Sequence, residues 1–327
     1  MSETLKDCNF DKVNKCQGKN SGGHAGTIRS VPGGLCAKLT KTEMGKEVKF
    51  YQKHQLEGFH MLDNFVPRFG GFCVDPETDK KYISVENIKD GFDEPWEMDV
   101  KIGLRSASRD ELRGRMGNLR GGLKKQVHIL LDNYFSTSGE YGFRVENFSR
   151  DKEYQKLESK KMMPSHVFKI YFQYDATGKI LKNFIKKMEQ FYRIIMENGF
   201  ENYFLIASSL LFVYDKNNAV NKNYNVSIKM IDFDHSNIID LSNISLNNKH
   251  FLRVNEYRYG ALTLMKELKY YYIDRSPDKS LFGKSMLMMT SNKSLNPEVN
   301  GAKRATKSNI IKAIKMHRKS FTTKKRR

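Results

Sequence analysis

The chain has 327 residues and a net charge of +20, from 57 Lys and Arg against 37 Asp and Glu. With 39% hydrophobic and 12% aromatic residues it can bury a core, which excludes a disordered polycation or a collagen-like chain, and its length suits one large domain or two lobes. The longest apolar stretch, Phe204 to Tyr214, is broken by Ser208 and Ser209 and falls short of the roughly 20 residues of a membrane span, so no transmembrane segment is expected.

Met1 to Cys8 lacks the apolar core of a secretory leader, so the expected location is the cytoplasm, the nucleus or both, with reduced cysteines. Cys8, Cys16, Cys36 and Cys73 form no C-x-x-C pair and have only His24 and His60 near them, which argues against zinc and leaves them as ordinary small residues. Thr27 to Val31 and Leu35 to Leu39 flank Pro32-Gly33-Gly34 and read as a hairpin, preceded by the small-residue run Ser21 to Gly26. A helix follows over Glu43 to Gln55, then an apolar strand from Tyr82 to Val85 that runs into Glu86, Asn87 and Ile88. After a loop to Glu94 comes a further strand, Pro95 to Gly103.

Between Lys101 and Leu130 eight basic residues face two acids, and Arg105, Arg109 and Arg113 recur every four residues. A helix there would align three guanidinium groups on one face, a repulsive arrangement unless an anion lies opposite. Lys179 to Asn198 repeats apolar residues at spacings of three and four and is a helix ended by Gly199. Tyr203 to Tyr214 and Val226 to Phe233 read as an antiparallel pair joined by the polar run Lys216 to Asn225, and Tyr259 to Tyr272 as a closing amphipathic helix. The segment from Lys303 to Arg327 carries 11 basic residues and no acid, so it reads as a basic appendage outside the fold, with possible polyanion contact or nuclear import.

Two acids follow apolar strand-like runs. In Met98-Asp99-Val100-Lys101 the period of two puts Asp99 and Lys101 on one side, an acid and a base suited to a hydroxyl nucleophile and a transferring phosphoryl group. Asp232, closing Lys229-Met230-Ile231, is placed to hold magnesium against nucleotide phosphates.

Taken together, Pro95-x-x-x-Asp99-x-Lys101-x-Gly103 resembles the signature of the inositol polyphosphate kinase family. In the same order, Ser208-Ser209-Leu210-Leu211, Ile231-Asp232-Phe233-x-His235-Ser236 and Glu256-Tyr257-x-x-Gly260 resemble its later motifs. Gly22-Gly23-His24 and Glu47-x-x-Phe50-Tyr51 resemble its N-terminal ones. The resemblance spans residues 17 to 270. It implies an α+β, two-lobed kinase-like fold, related to protein kinases and ATP-grasp enzymes, with antiparallel sheets and a helical inositol-phosphate-binding insertion. On that reading residues 1–90 form the nucleotide lobe and 91–300 the catalytic lobe, with the basic insertion at about 104–161, and 301–327 form the tail.

Carried over residue by residue, the resemblance makes Lys38 the contact to ATP phosphates with Glu47 as its partner. Glu86 to Ile88 becomes the adenine-reading hinge, Asp99 and Lys101 the catalytic pair, and Asp232 the magnesium ligand. Lys101, Arg105, Arg109, Arg113, Lys124, Lys125, Ser208, Ser209 and His235 become the acceptor surroundings. ATP is the implied co-substrate, Mg2+ the cofactor and an inositol phosphate the acceptor. Trp96-Glu97 and Asp234 depart from the pattern without removing a catalytic group. Ser236 and the Ser-Leu-Leu run lean towards hexakisphosphate kinases, whereas Met98 to Gly103 reads more like multikinases; the balance falls slightly to a hexakisphosphate kinase that makes inositol pyrophosphates, with a multikinase or trisphosphate 3-kinase acting on free hydroxyls as the alternative. A protein kinase is disfavoured by the lack of an H-R-D loop and of a full G-x-G-x-x-G. A noncatalytic nucleic-acid binder is disfavoured because the tail has only Phe321 as a stacking aromatic.

Overall fold

The computed structural model describes residues 6–14, 16, 27–40, 45–56, 58–104, 136–151, 159–241 and 248–275. Arg105, Arg109, Arg113, Lys124, Lys125, the Gly22-Gly23-His24 run and the basic tail lie outside the described residues.

The first sheet is built from β1 (Lys6–Asp7), β2 (Ile28–Val31), β3 (Leu35–Leu39), β4 (Phe69–Val74) and β5 (Lys81–Glu86), in the order β1-β4-β5-β3-β2. Gly33 and Gly34 turn the β2–β3 hairpin with φ of 84° and 68°, the left-handed region in which a side chain is strained. Helix α1 (Lys46–Leu56) buries Val48, Phe50 and Tyr51 against the remainder of the molecule.

The second sheet contains β6 (Pro95–Ile102), β7 (Phe143–Phe148), β9 (Ser209–Asp215) and β10 (Val226–Ile231), ordered β10-β9-β6-β7, with antiparallel neighbours throughout. Strict alternation along β6 sends Trp96, Met98, Val100 and Ile102 to one face, in register with Tyr214, Phe212 and Leu210 of β9. Helix α4 (Lys179–Met196) packs on that apolar face, with the ring of Phe184 5.2 Å from that of Phe212. Its start is fixed by Asp175, whose carboxylate accepts the N–H groups of Ile180 and Leu181 at 3.2 and 2.9 Å. Short helices α2 (Ser138–Tyr141), α3 (Pro164–Tyr171) and α5 (Asn218–Asn221), a small pair of β8 (Tyr203–Phe204) with β11 (Asn237–Ile238), and the long α6 (Asn248–Arg275) complete the fold.

Four sequence expectations are corrected. The apolar run from Tyr203 to Tyr214 is two strands, not one. Ala207, in the left-handed region at φ 56°, breaks it, so β8 pairs with β11 while only β9 pairs with β10. The closing helix begins at Asn248 rather than Tyr259, because Val254 and Tyr257 extend its buried stripe backwards. Within the insertion, Phe143 to Phe148 is a strand on the edge of the second sheet, not part of a helical segment.

The cysteines are the fourth. Rather than reduced, all are paired: Cys8 with Cys73 and Cys16 with Cys36, with Cα atoms 4.9 and 5.8 Å apart. A compartment argument cannot register that β1 runs parallel to β4 and brings Cys8 beside Cys73. Around the Cys8–Cys73 bond, Cys8, Val31, Ala37, Cys73 and Tyr82 form a small second core on one face of the first sheet. No helix among the described residues is long and apolar enough to cross a membrane.

Candidate active site

The face of the second sheet opposite α4 carries polar rows across the strands. Register places Lys229, Leu211, Asp99 and Asn147 in one row and Ile231, Ser209, Lys101 and Arg144 in the next. Asp99 and Lys101 therefore share a face, as the alternation of β6 requires.

Asp232 follows β10 and occupies the left-handed region at φ 63°, a strained position for a residue with a Cβ. Its two carboxylate oxygens face two lysines from different sheets. Lys38 on β3 approaches Oδ1 at 3.5 Å and Lys101 on β6 approaches Oδ2 at 3.2 Å. Lys38 is held in turn by Glu47 of α1 at 2.9 Å. The Lys101 ammonium also donates to the carbonyl oxygen of Ala207 at 3.1 Å and to Ser209 Oγ at 3.2 Å. Burial works against each charge, but the pairing wins at both ends. Lys38 holds its proton above the ordinary lysine range because of Glu47 and Asp232, and Lys38 and Lys101 keep Asp232 below the ordinary carboxylate range.

Asp99 is the exception. Its Oδ1 is buried and has no hydrogen-bond partner among the described residues. Burial pushes its carboxyl up to about 6, Lys101 pulling against the rise and Asp232 adding to it. A buried oxygen without a partner is unfavourable to folding, and such positions concentrate where chemistry is done.

On the other side of the cleft, β5 ends at Glu86. Its carboxylate accepts the N–H of Arg68 at 3.0 Å and pairs with Lys229 at 2.9 Å. The N–H groups of Glu86, Asn87 and Lys89 are engaged by Arg68 O, Gly34 O and Asn87 Oδ1. The N–H of Ile88 has no acceptor among the described residues. Downstream, the buried Asp215 accepts the N–H groups of Asp93 and Asn217 and pins the loop that leads into β6.

The structure thus brings Lys38, Glu47, Asp99, Lys101, Ser209 and Asp232 together. Ser208 is buried beside them, and His235 is half-buried in the turn after Phe233. Reading of the sequence missed Lys229, the buried pair Arg144 and Glu146, and the half-buried Lys160. Glu146 accepts from Arg144 Nε at 3.1 Å and Lys160 Nζ at 2.9 Å. Alternation along β7 puts Glu146 on the same side as Arg144, and the β-bulge that follows sets Asn147 opposite Asp99 and returns Phe148 to the apolar face opposite Met98. Charged residues at alternate positions of an otherwise apolar strand, Arg144 and Glu146, were the available signal.

Among the described residues no group of three or more His, Cys, Asp or Glu side chains converges as a metal cage. A hard divalent cation held by one or two carboxylates and the phosphates of a nucleotide needs no such cage. Asp232, with its side chain 44% exposed, and the unpartnered oxygen of Asp99 fit that donor set.

The geometry defines a kinase-like α+β protein with two lobes. A family model described as inositol polyphosphate kinase matches residues 82–260, more than half of the chain, and the chain belongs to that family. The inositol-trisphosphate 3-kinase A of Rattus norvegicus is 25% identical over 187 residues, covering 47% of this chain and 39% of the relative. The inositol polyphosphate multikinase of Saccharomyces cerevisiae is 25% identical over 169 residues, covering 43% of this chain and 45% of that one. The matched part is less than half the length of either relative. A solved structure of the S. cerevisiae inositol phosphate multikinase in complex with ADP and Mn2+ superimposes with a TM-score of 0.53 at 23% identity. It covers 73% of this chain and 99% of that one, a likeness of fold.

Proposed function

We propose that this chain is an ATP-dependent kinase that transfers the γ-phosphoryl group to an inositol phosphate. The observation that carries the reading is the Lys38–Asp232–Lys101 bridge between the two sheets, set beside the unpartnered Asp99 oxygen. Phosphoryl transfer is chiefly positioning and neutralisation of charge, and this arrangement offers both.

In the proposed roles, Lys38 takes up nucleotide phosphate, with Glu47 fixing its ammonium. Asp99 accepts the proton of the attacking hydroxyl, and Lys101 steadies the acceptor or the phosphoryl oxygens. The Ile88 N–H reads the adenine edge. Asp232 would hold Mg2+, which would supply charge neutralisation for the phosphates. Arg105, Arg109, Arg113, Lys124 and Lys125 remain proposed acceptor contacts. The basic tail remains a proposed polyanion contact, and the cytoplasm or nucleus the proposed location.

The relatives named above are a trisphosphate 3-kinase and a multikinase, which supports an acceptor with a free hydroxyl. The second reading, a hexakisphosphate kinase that forms a pyrophosphate, rests on Ser236 and the Ser-Leu-Leu run. Incubation with Mg-ATP and a panel from inositol trisphosphate to hexakisphosphate, with products separated by charge, tests both. Turnover of lower phosphates alone supports the first, a product beyond hexakisphosphate the second, and no turnover of any acceptor refutes the kinase reading.

A further inference from the structure

We infer that Lys229 is a positioning residue for nucleotide, one that ties the adenine-binding end of the cleft to the strand row carrying Asp99. The inference rests on the nucleotide reading proposed above.

Lys229 and Asp99 lie in one row of the second sheet, separated by Leu211 of β9. Yet the Lys229 ammonium does not serve that sheet. It crosses to the first sheet and pairs with Glu86 at 2.9 Å, where β5 ends and the hinge begins. Glu86 is itself a junction, since its N–H donates to Arg68 O at 2.8 Å and its carboxylate accepts the Arg68 N–H at 3.0 Å. The pair is partly screened from water, with the Lys229 side chain 16% exposed and that of Glu86 33%. Ion pairs of this kind hold geometry better than fully exposed ones, because less water competes for either charge.

The consequence follows from the placement of the two bridges. Lys38–Asp232–Lys101 joins the sheets at the phosphoryl end, and Glu86–Lys229 joins them at the hinge end. A nucleotide read at Ile88 and at Lys38 spans the space between, so its phosphates reach Asp99 in register only while both connections hold. The Glu86 carboxylate is thereby assigned to the scaffold, leaving adenine recognition to the hinge backbone. Loss of one such constraint misplaces a reacting group by a fraction of a bond length or more, which weakens binding and transfer out of proportion to stability.

The test is titration of Mg-ADP by calorimetry into the full chain, as wild type, Lys229→Met and Lys229→Arg, with thermal unfolding and KM for ATP followed alongside. Methionine keeps the apolar stem and removes the charge, whereas arginine keeps the charge and the reach. Lys229→Met should bind Mg-ADP about tenfold or more weakly and raise KM for ATP similarly, with Lys229→Arg close to wild type. If Lys229→Met does not fold, Lys229→Gln replaces it with the same expectation. Binding by the uncharged variant within twofold of wild type would overturn the inference, as would a fall in unfolding temperature with unchanged affinity. Failure of wild type itself to bind Mg-ADP would overturn the underlying nucleotide reading instead, so the two failures are distinguished.

Discussion

Asp99 combines chemical readiness with a stability cost. Its carboxyl is raised to about 6 from 3.8, chiefly by burial, so the folded chain holds the proton more tightly than the unfolded chain. Its contribution to stability is therefore full below about pH 4 and is lost as pH rises through about 6. In nucleotide- and metal-free protein, Asp99→Asn should unfold at higher urea than wild type. The gap should open between about pH 4 and 6, level off above, and reach on the order of 2 kcal/mol. A gap that is constant across this range would contradict the buried-carboxyl account. The same variant should lose transfer to inositol phosphates, since its amide accepts no proton. Lys101→Ala should lower turnover by about 100-fold or more, measured at saturating ATP, because a cation is removed from beside the reacting groups.

Among the secondary-structure elements, two close constraints set how the cleft is held. Gly260 of α6 lies against the α2–β7 turn, where a Cβ would press into the carbonyl oxygen of Gly142, the same oxygen that accepts the Gly103 N–H at the end of β6. Gly260→Ala should cost on the order of 3 kcal/mol, read as a shift in urea midpoint, because the obstacle is backbone and cannot rotate away. The paired cysteines are the second constraint. Cys36 lies two residues before Lys38 on β3 and is tied to Cys16, while Cys8 is tied to Cys73 on β4. Closing sequence separations of 20 and 65 residues restricts the unfolded chain, and each bond should contribute about 3 to 4 kcal/mol. Alkylation followed by mass analysis should label no cysteine before reduction and four after it, with a lower unfolding temperature in the reduced protein. Four labels without reduction would contradict the pairing.

What the sequence disclosed about these elements follows from how local each signal is. The β2–β3 hairpin, β6 and α4 were legible, because a Pro-Gly-Gly turn, a period of two and a period near 3.6 are written into consecutive residues. Strand β4 was not, since Phe69-Gly70-Gly71-Phe72 reads as a loop until β1 and β5 flank it. The break at Ala207 was invisible too, because nothing in an apolar run marks one left-handed residue.

For the molecule as a whole, the candidate site depends on two sheets meeting. Phe233, directly after Asp232, stacks on Phe50 of α1 with ring centroids 3.9 Å apart, and Lys53 of the same helix donates to the Ile238 carbonyl oxygen. Helix α1 thus carries both Glu47 and the packing that sets Asp232 in place. Asp99 and Asp232 were readable one by one as acids after apolar runs, and Lys38 and Glu47 only through the family resemblance. Their convergence was not, because Lys38 and Asp232 are far apart in sequence and come together only through the tertiary fold. Lys229 escaped notice for a related reason: its partner Glu86 lies on the other sheet.

The central claim is that this convergence performs phosphoryl transfer to an inositol phosphate, and one measurement addresses it most directly. Purified full chain incubated with Mg-ATP labelled at the γ-phosphate and with the inositol phosphate panel, alongside Asp99→Asn as control, should yield a labelled inositol product that the variant fails to form. Label appearing only as inorganic phosphate, or an equal product from Asp99→Asn, would contradict the account.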